Sequence, residues 1–289
     1  MLLLNGDCLE MLDKIQDKSV QLICIDPPYN IHKAEWDIVE NYNEWLMKVI
    51  CMLETKLKDN GSFCMFHNDM EVIAELMVEI KKQTRFKFRQ MIVWNKRFEG
   101  SKKKGFLDGY VMRTQSHNWE KMCEYLLFYT FDNTYKIKQK RLELNISALQ
   151  ISNEIKSKNG NLTGWYSNIE LGKNMPTLET IKPITKYLGL SFDDIVPKFR
   201  NQKTHHSIWN YDIAKRSEHI TPKPIELYKN LILHLTDEGD VVLDPTFGSG
   251  NSGRACIELG RKYIGIEKDE KFFENFQSSL KAEKKVVTI

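Results

Sequence analysis

Val241-Val242-Leu243-Asp244 reads as a strand, and the segment after it limits the possible folds more than any other stretch. Pro245-Thr246-Phe247 leads into Gly248-Ser249-Gly250-Asn251-Ser252-Gly253, a G-x-G-x-x-G spacing. Arg254 to Leu259 reads as a helix, and Tyr263-Ile264-Gly265-Ile266 as a second strand with Glu267 at its end. Such glycines let backbone N–H groups approach a ligand at a helix N-terminus, and an acid after the second strand can accept from two ribose hydroxyls. The unit therefore points to an adenosine-containing ligand, and NAD suits the spacing. After Glu267, however, the chain holds only one helix and a tail. A dinucleotide fold needs several more strands after its first β-α-β unit. Strands of the right kind lie at the N-terminal end instead, so the sheet is expected to be circularly permuted, which counts against a dehydrogenase.

Taken from the start, Leu2 to Leu4 is a short strand, and Cys8 to Ile15 carries apolar residues at helical spacing. Val20 to Ile25 suits a buried strand and stops at Asp26-Pro27-Pro28-Tyr29-Asn30, because prolines neither continue a ladder nor enter a helix interior. A carboxylate, two rigid carbonyls and an aromatic ring thus stand at the carboxyl end of a strand, where open α/β sheets bind ligands. Helices are predicted over Tyr42–Leu57 and Met70–Ile80, and strands over Ser62–His67, Phe86–Trp94 and Tyr125–Thr130, with a long loop over 97–118. This alternation means a mostly parallel sheet with helical crossovers. Residues 141–203 break the pattern, with helices expected at Leu144–Ile155, Thr163–Ile169 and Pro176–Leu188. The catalytic domain is accordingly expected over 1–140 and 204–289, with a helical insertion at 141–203.

The net charge of +3 gives no argument for a nucleic-acid partner, so local distribution has to carry it. Lys81, Lys82, Arg85, Lys87, Arg89, Lys96, Arg97 and Lys102 to Lys104 form a basic stretch relieved only by Glu99, and Lys136, Lys138, Lys140 and Arg141 form a second. Six cysteines without a C-x-x-C suggest neither a zinc site nor a disulfide framework, and no metal site is expected. His205-His206 reads as a surface linker. No stretch is long and apolar enough to span a membrane, and Met1-Leu2-Leu3-Leu4 runs directly into Asn-Gly-Asp, unlike a signal peptide. A reduced, cytosolic protein is expected.

Within the insertion, Trp165-x-x-x-Ile169-Glu170-x-Gly172-Lys173-x-x-Pro176-Thr177-Leu178-Glu179-Thr180-Ile181, continued by Leu188-Gly189-Leu190 to Ile195, resembles a helix-turn-helix of the Cro/repressor type. The resemblance is good over the latter half and poor over the first helices. It implies docking in a DNA groove, with Trp165 and Lys173 as candidate contacts. A helical lid without DNA contact is the alternative.

The whole chain outside the insertion resembles the amino-methylating DNA methyltransferases of the beta arrangement. Their catalytic D-P-P-Y matches Asp26 to Tyr29. Their D-P-F-x-G-S-G is close to Asp244 through Gly250, with Thr246 and Phe247 exchanged. A T-x-K-P segment matches Thr221 to Pro224, and G-D-C-L matches Gly6 to Leu9. The resemblance implies an α/β, circularly permuted Rossmann-like sheet that binds S-adenosylmethionine, with target recognition in the insertion. Asp26 and the Pro27 carbonyl would accept the two N–H hydrogens of an exocyclic base amine. That turns its lone pair toward the sulfonium methyl, with Pro28 shaping the turn and Tyr29 offering a face to a flipped base. Asp7 would contact the cofactor adenine with Cys8 beside it, and Glu267 with Lys268 the ribose. Asp244, Pro245, Phe247 and Gly248-Ser249-Gly250 would line the methionine end, and Lys223 would hold its carboxylate. Asn30, Trp94, Asn95 and Lys96 are candidates for the opposite wall of the base pocket, with a core tryptophan as the bland reading of Trp94.

The expectation is a site-specific DNA methyltransferase acting on adenine N6, with cytosine N4 second. Asp at the first motif position favours adenine, whereas the cytosine enzymes more often carry Ser. Carbon-5 methylation needs a cysteine nucleophile, usually in a Pro-Cys pair, and the chain has none. Protein glutamine methylases usually carry Asn at the position of Asp26 and place the cofactor loop first. An inactive DNA-binding regulator on the same scaffold is the non-enzyme rival. Double-stranded DNA is the expected partner, with a restriction endonuclease of the same system and a second copy of the chain as further candidates. The resemblance implies a cytoplasmic enzyme of bacterial, prophage or phage origin.

Overall fold

The computed structural model describes residues 1–31, 34–101, 122–155, 164–173, 177–200, 206–214 and 221–286. Most of the predicted 97–118 loop, His205, and the Pro176 start of one predicted helix lie outside these residues. The strands are β1 (Leu2–Asn5), β2 (Val20–Ile25), β3 (Leu57–His67), β4 (Phe86–Asn95), β5 (Cys123–Phe131), β6 (Ile208–Asn210), β7 (Val241–Asp244) and β8 (Lys262–Glu267). The helices are α1 (Cys8–Met11), α2 (Tyr42–Lys56), α3 (Met70–Gln83), α4 (Tyr135–Glu143), α5 (Ala148–Glu154), α6 (Trp165–Glu170), α7 (Leu178–Leu188), α8 (Ile225–Leu235), α9 (Asn251–Glu258) and α10 (Glu270–Val286).

One sheet joins all eight described strands in the order β1-β8-β7-β2-β3-β5-β4-β6. Only β5 runs against its neighbours. The expected permutation is visible in the register. Leu2 pairs with Ile264 and Asn5 with Glu267, so the first strand of the chain completes the sheet beside the last. β7 then pairs with β2, Leu22 facing Val242, which joins the two ends of the sequence at the centre of the sheet. The carboxyl ends of β1, β8, β7, β2 and β3 therefore share one edge. Asp7, Glu267, Asp244, Asp26 and His67 all lie there.

Both sheet faces are covered. On one, Leu46, Val49, Ile50 and Leu53 of α2 pack with Ile73, Leu76 and Ile80 of α3. On the other, Leu227, Tyr228 and Leu231 of α8 join Ala255 and Cys256 of α9 and Phe276 of α10. This is why β2 reads as a continuous apolar run, since all six of its residues are buried.

A third core belongs to the helical insertion, with Ile137, Ile151, Tyr166, Ile169, Ile181, Ile184, Leu188 and Ile195 buried together. It starts earlier than position 141, because α4 supplies Ile137. That helix is rich in lysine and offers little apolar pattern, which is how it reads as a mere charge cluster. The predicted Leu144–Ile155 helix is also displaced. Asn145 takes a left-handed conformation (φ 54°) that ends one helix, and Ser147 with Gln150 forms a capping box that starts the next at Ala148. The unit is tied internally by Arg141, which makes paired hydrogen bonds of 2.6 and 3.1 Å to Glu170. Two further elements are absent from the expectation. β6 is only three residues long, and α8 follows directly on the Thr-Pro-Lys-Pro segment.

Candidate active site

Asp26 directly follows β2, and its loop is shaped by a residue the sequence does not announce. Asp37, buried in a short 3-10 turn, accepts the backbone N–H groups of Tyr29 (2.7 Å) and Asn30 (3.0 Å) on Oδ1 and of Ile31 (3.0 Å) on Oδ2. Asn30 adopts φ 56°, and its Oδ1 accepts from the N–H of Val39. Asn30 is thus bound into the loop rather than facing a ligand. From the other side Thr246 Oγ1 donates to the Asp26 carbonyl at 3.0 Å. The exchanged order of Thr246 and Phe247 follows from this. Thr246 ties the glycine loop to the loop that starts at Asp26, while Phe247 packs into the core 5.2 Å from the Phe276 ring.

The Asp26 carboxylate is already engaged. Lys223 Nζ lies 2.8 Å from each of its oxygens, and the Tyr29 hydroxyl donates to Oδ1 at 2.9 Å. Lys223 also approaches Glu124 Oε2 at 3.1 Å, and Glu124 pairs in turn with Lys96. Burial alone would raise the Glu124 carboxyl, but Lys223 and Lys96 outweigh it and hold the group at about 2. Burial would likewise strip the proton from Lys223, and Asp26 and Glu124 prevail, raising its pKa. Burial, with Asp26 and Glu124 alongside, pushes the Tyr29 hydroxyl well up, so it acts as a donor. The Tyr29 ring has His67 at 4.8 Å between centroids and Lys223 Nζ at 5.0 Å. The space enclosed by Asp26, Pro27, Tyr29, Glu124 and Lys223 is about 60 Å³.

A larger cavity of about 530 Å³ adjoins it, within the range of sites for small ligands. Asp7, Cys8, Pro28, Pro245, Gly248, Glu267 and Lys268 all line it, as do Asp26 and Thr246. Trp36 and Phe272 are apolar walls that sequence reasoning overlooks. Asp7 caps α1 by accepting from the Leu9 N–H and pairs with Lys268 at 3.1 Å. Burial, with Asp7 beside it, pushes the Cys8 thiol up to about 12, which suits a wall rather than a nucleophile. Glu267 accepts from the N–H groups of Gly248 (2.7 Å) and Asp269 (2.8 Å), and burial raises its pKa against these bonds.

Asp244 is set back from both spaces. It is buried and accepts from Ser252 Oγ at 2.6 Å and from the Thr246 N–H at 3.1 Å. Burial pushes it up to about 7 against those two hydrogen bonds. Gly250 serves packing rather than ligand approach, since its φ is 75° and a Cβ there would stand 2.2 Å from Phe276. Ser249 lines the small space and Gly248 both.

Several sequence candidates lie elsewhere. Trp94 is a core residue, 3% exposed, whose Nε1 donates to the Tyr211 carbonyl. Asn95 donates to the Asn210 side chain across the β4–β6 pair. Neither lines the two spaces. Lys96 reaches the site only through Glu124. Trp165 packs against the insertion core, and Lys173 is exposed beyond α6. Lys223, expected to hold the carboxylate of a cofactor, faces the Asp26 carboxylate and does not line the larger cavity. Glu124 stands at the beginning of β5 and reaches the sheet edge that carries Asp26 only because that strand is antiparallel.

Comparison with known proteins identifies the family and supports the fold. A family model for DNA methylases of the N6/N4 type matches residues 20–278. The type II methyltransferase M1.MboII of Moraxella bovis is 29% identical, over 92% of this chain and 91% of its own. The DNA adenine methyltransferase YhdJ of Escherichia coli K12 is 27% identical, over 94% of this chain and 80% of its own. Among solved structures, the cytosine-N4-specific PvuII DNA methyltransferase superposes with a TM-score of 0.63 at 14% identity, covering 95% of this chain and 84% of that one. The M1.HpyAVI–SAM complex gives 0.57 at 18%, covering 96% and 98%. These two likenesses concern the fold. The match over residues 20–278 settles the lineage: the chain belongs to the N6/N4 DNA methylase family.

Proposed function

We propose that the protein transfers a methyl group from S-adenosylmethionine to the N6 amino group of adenine in double-stranded DNA. The observation that carries this reading is that Asp26 and Thr246 line both spaces, so the larger cavity and the catalytic loop share a wall. The cavity volume, the Gly248 backbone and the acid at the end of β8 fit an adenosyl ligand with a charged tail. Asp7, Cys8, Glu267 and Lys268 would hold its nucleoside end. When bound, the cofactor supplies an electrophilic methyl on a positively charged sulfur.

An exocyclic amine is a poor nucleophile because its lone pair is delocalised into the ring. Asp26 and the Pro27 carbonyl would accept its two hydrogens and aim that lone pair at the cavity. Transfer forms the N–C bond, breaks the C–S bond and releases one amine proton toward Asp26 and solvent. In an intact duplex the amine is held in a base pair and the faces of the base are covered by stacked neighbours, so the base would have to be extruded to reach Asp26 and Tyr29. The name of the YhdJ relative favours adenine, as does Asp at the first motif position. Cytosine N4 is the second reading.

The helical unit is the proposed target-recognition element, with α7 offered to the groove. Its buried side carries Ile181, Ile184 and Leu188, and Lys182, Lys186 and Tyr187 are exposed on the other. A restriction endonuclease of the same system and a second copy of the chain are proposed as further partners. The test is transfer of labelled methyl to unmethylated DNA followed by nucleoside separation. N6-methyladenine is expected from the natural protein and none from Asp26→Ala. Label in Asp26→Ala equal to that of the natural protein would refute the mechanism, and label in cytosine would move the reading to N4.

A further inference from the structure

Lys223 is held by two carboxylates, and the proposed reaction asks it to release one of them. Its ammonium is buried, 2.8 Å from both Asp26 oxygens and 3.1 Å from Glu124 Oε2, and lies 5.0 Å from the centre of the Tyr29 ring. A base amine bonded to Asp26, with its ring on Tyr29, claims both of those surfaces. Lys223 has to yield them, and a buried ammonium without a counter-charge is strongly disfavoured. Glu124 is within reach without rearrangement of the backbone. Lys96 on its other oxygen secures its position, and the Tyr29 hydroxyl, at 3.2 Å from Oε2, offers it a further hydrogen bond.

Resting on the methyl-transfer reading above, we propose that Glu124 is a positioning residue: it takes over the Lys223 ammonium as the target amine takes over Asp26. The four charges, Asp26 and Glu124 against Lys223 and Lys96, balance in the free site. When the amine occupies Asp26, Lys223 passes to the carboxylate it already touches and Lys96 stays where it is. With Glu124 neutral, Lys223 has Asp26 as its one remaining anionic partner in this cluster. It then competes with the amine for the same two oxygens. The competition is for the Asp26 oxygens, and neither Glu124 nor Lys223 lines the 530 Å³ cavity, where Asp26 forms only part of the shared wall.

The rival account is that Glu124 merely anchors Lys96 and the end of β4. Single-turnover methyl transfer and cofactor binding separate the two. Glu124→Gln is expected to slow transfer by about tenfold to a hundredfold while changing cofactor affinity by less than about threefold. Glu124→Asp, which keeps the charge, is expected to recover most of the rate. In a Lys223→Gln background the same Glu124→Gln change is expected to cost less than about twofold, because the competing ammonium is gone. A Glu124→Gln rate within about twofold of the natural protein would overturn the proposal, as would an equal penalty in both backgrounds. If Lys223→Gln leaves no measurable turnover, the comparison of Asp with Gln at 124 decides, and equal rates for the two refute it. Absence of transfer by the natural protein would instead sink the underlying function, so the two failures are distinct.

Discussion

Replacing Asp37 by Asn tests whether one buried carboxylate holds the loop after Asp26 in shape. The substitution keeps the size of the side chain and removes its charge. Oδ1 still accepts from Tyr29 and Asn30, but as a neutral acceptor, and the Ile31 N–H now meets an amide NH2 in place of Oδ2. Hydrogen bonds to an ionised partner contribute about 1 kcal/mol more than neutral ones, so two weakened bonds cost about 2 kcal/mol. The donor set against a donor adds about 1–3 kcal/mol. The loop is only partly buried, and water relieves some of this, so about 3 kcal/mol is the expected loss. Felt globally, that lowers the melting temperature by about 5 °C in a chain of this size. Felt locally, it is a factor of about a hundred in the equilibrium between ordered and disordered loop, and the single-turnover rate falls by up to that factor. Thermal unfolding and labelled-methyl transfer on the same preparation read both routes. A variant within about 1 °C and about twofold of the natural protein on both measurements would refute the argument.

The pH dependence of stability offers a second test. Folded Asp244 keeps its proton up to about 7, whereas the unfolded chain releases it near the ordinary 3.8. Its contribution is therefore full below about 4 and is lost as pH rises toward about 7. The gap in melting temperature between the natural protein and Asp244→Asn should shift against the natural protein across that window, and a flat gap would contradict it. Glu170→Ala leaves Arg141 without its bidentate partner in the insertion, at a cost of about 3–5 kcal/mol, which should loosen the helical unit. Gel shift with duplex DNA is expected to weaken while cofactor binding, measured by calorimetry, holds. Loss of both would make the insertion structural.

The strand ends were legible because each is a short apolar run stopped by an acid. Val20 to Asp26, Val241 to Asp244 and Tyr263 to Glu267 announce both the element and the edge of the sheet where chemistry gathers. The permutation followed from counting the elements left after Glu267, and the β1–β8 register agrees with it. Glu124 was not legible for a geometric reason. It sits at the start of a strand, and only the antiparallel course of β5 turns that start toward Asp26. Asp37 was hidden because its partners are backbone N–H groups, which leave no mark on sequence pattern. Trp94 and Asn95 show the opposite case, since their position at a strand end said nothing of the neighbouring β6 that pairs with it. Lys223 was found, but the group it faces depends on the fold of a segment far away in the chain.

The pairing of the first described strand with the last has a consequence for the birth of the molecule. β1 leaves the ribosome long before β8, its neighbour in the sheet. At about 5–20 residues per second, the early strands wait many seconds for the partners that close the sheet. The glycine loop and Glu267 arrive in that same late stretch. On the proposed reading, a nascent chain, or one truncated before β7, would hold Asp26-Pro27-Pro28-Tyr29 without a place for the methyl donor, and activity would begin only once β8 has emerged.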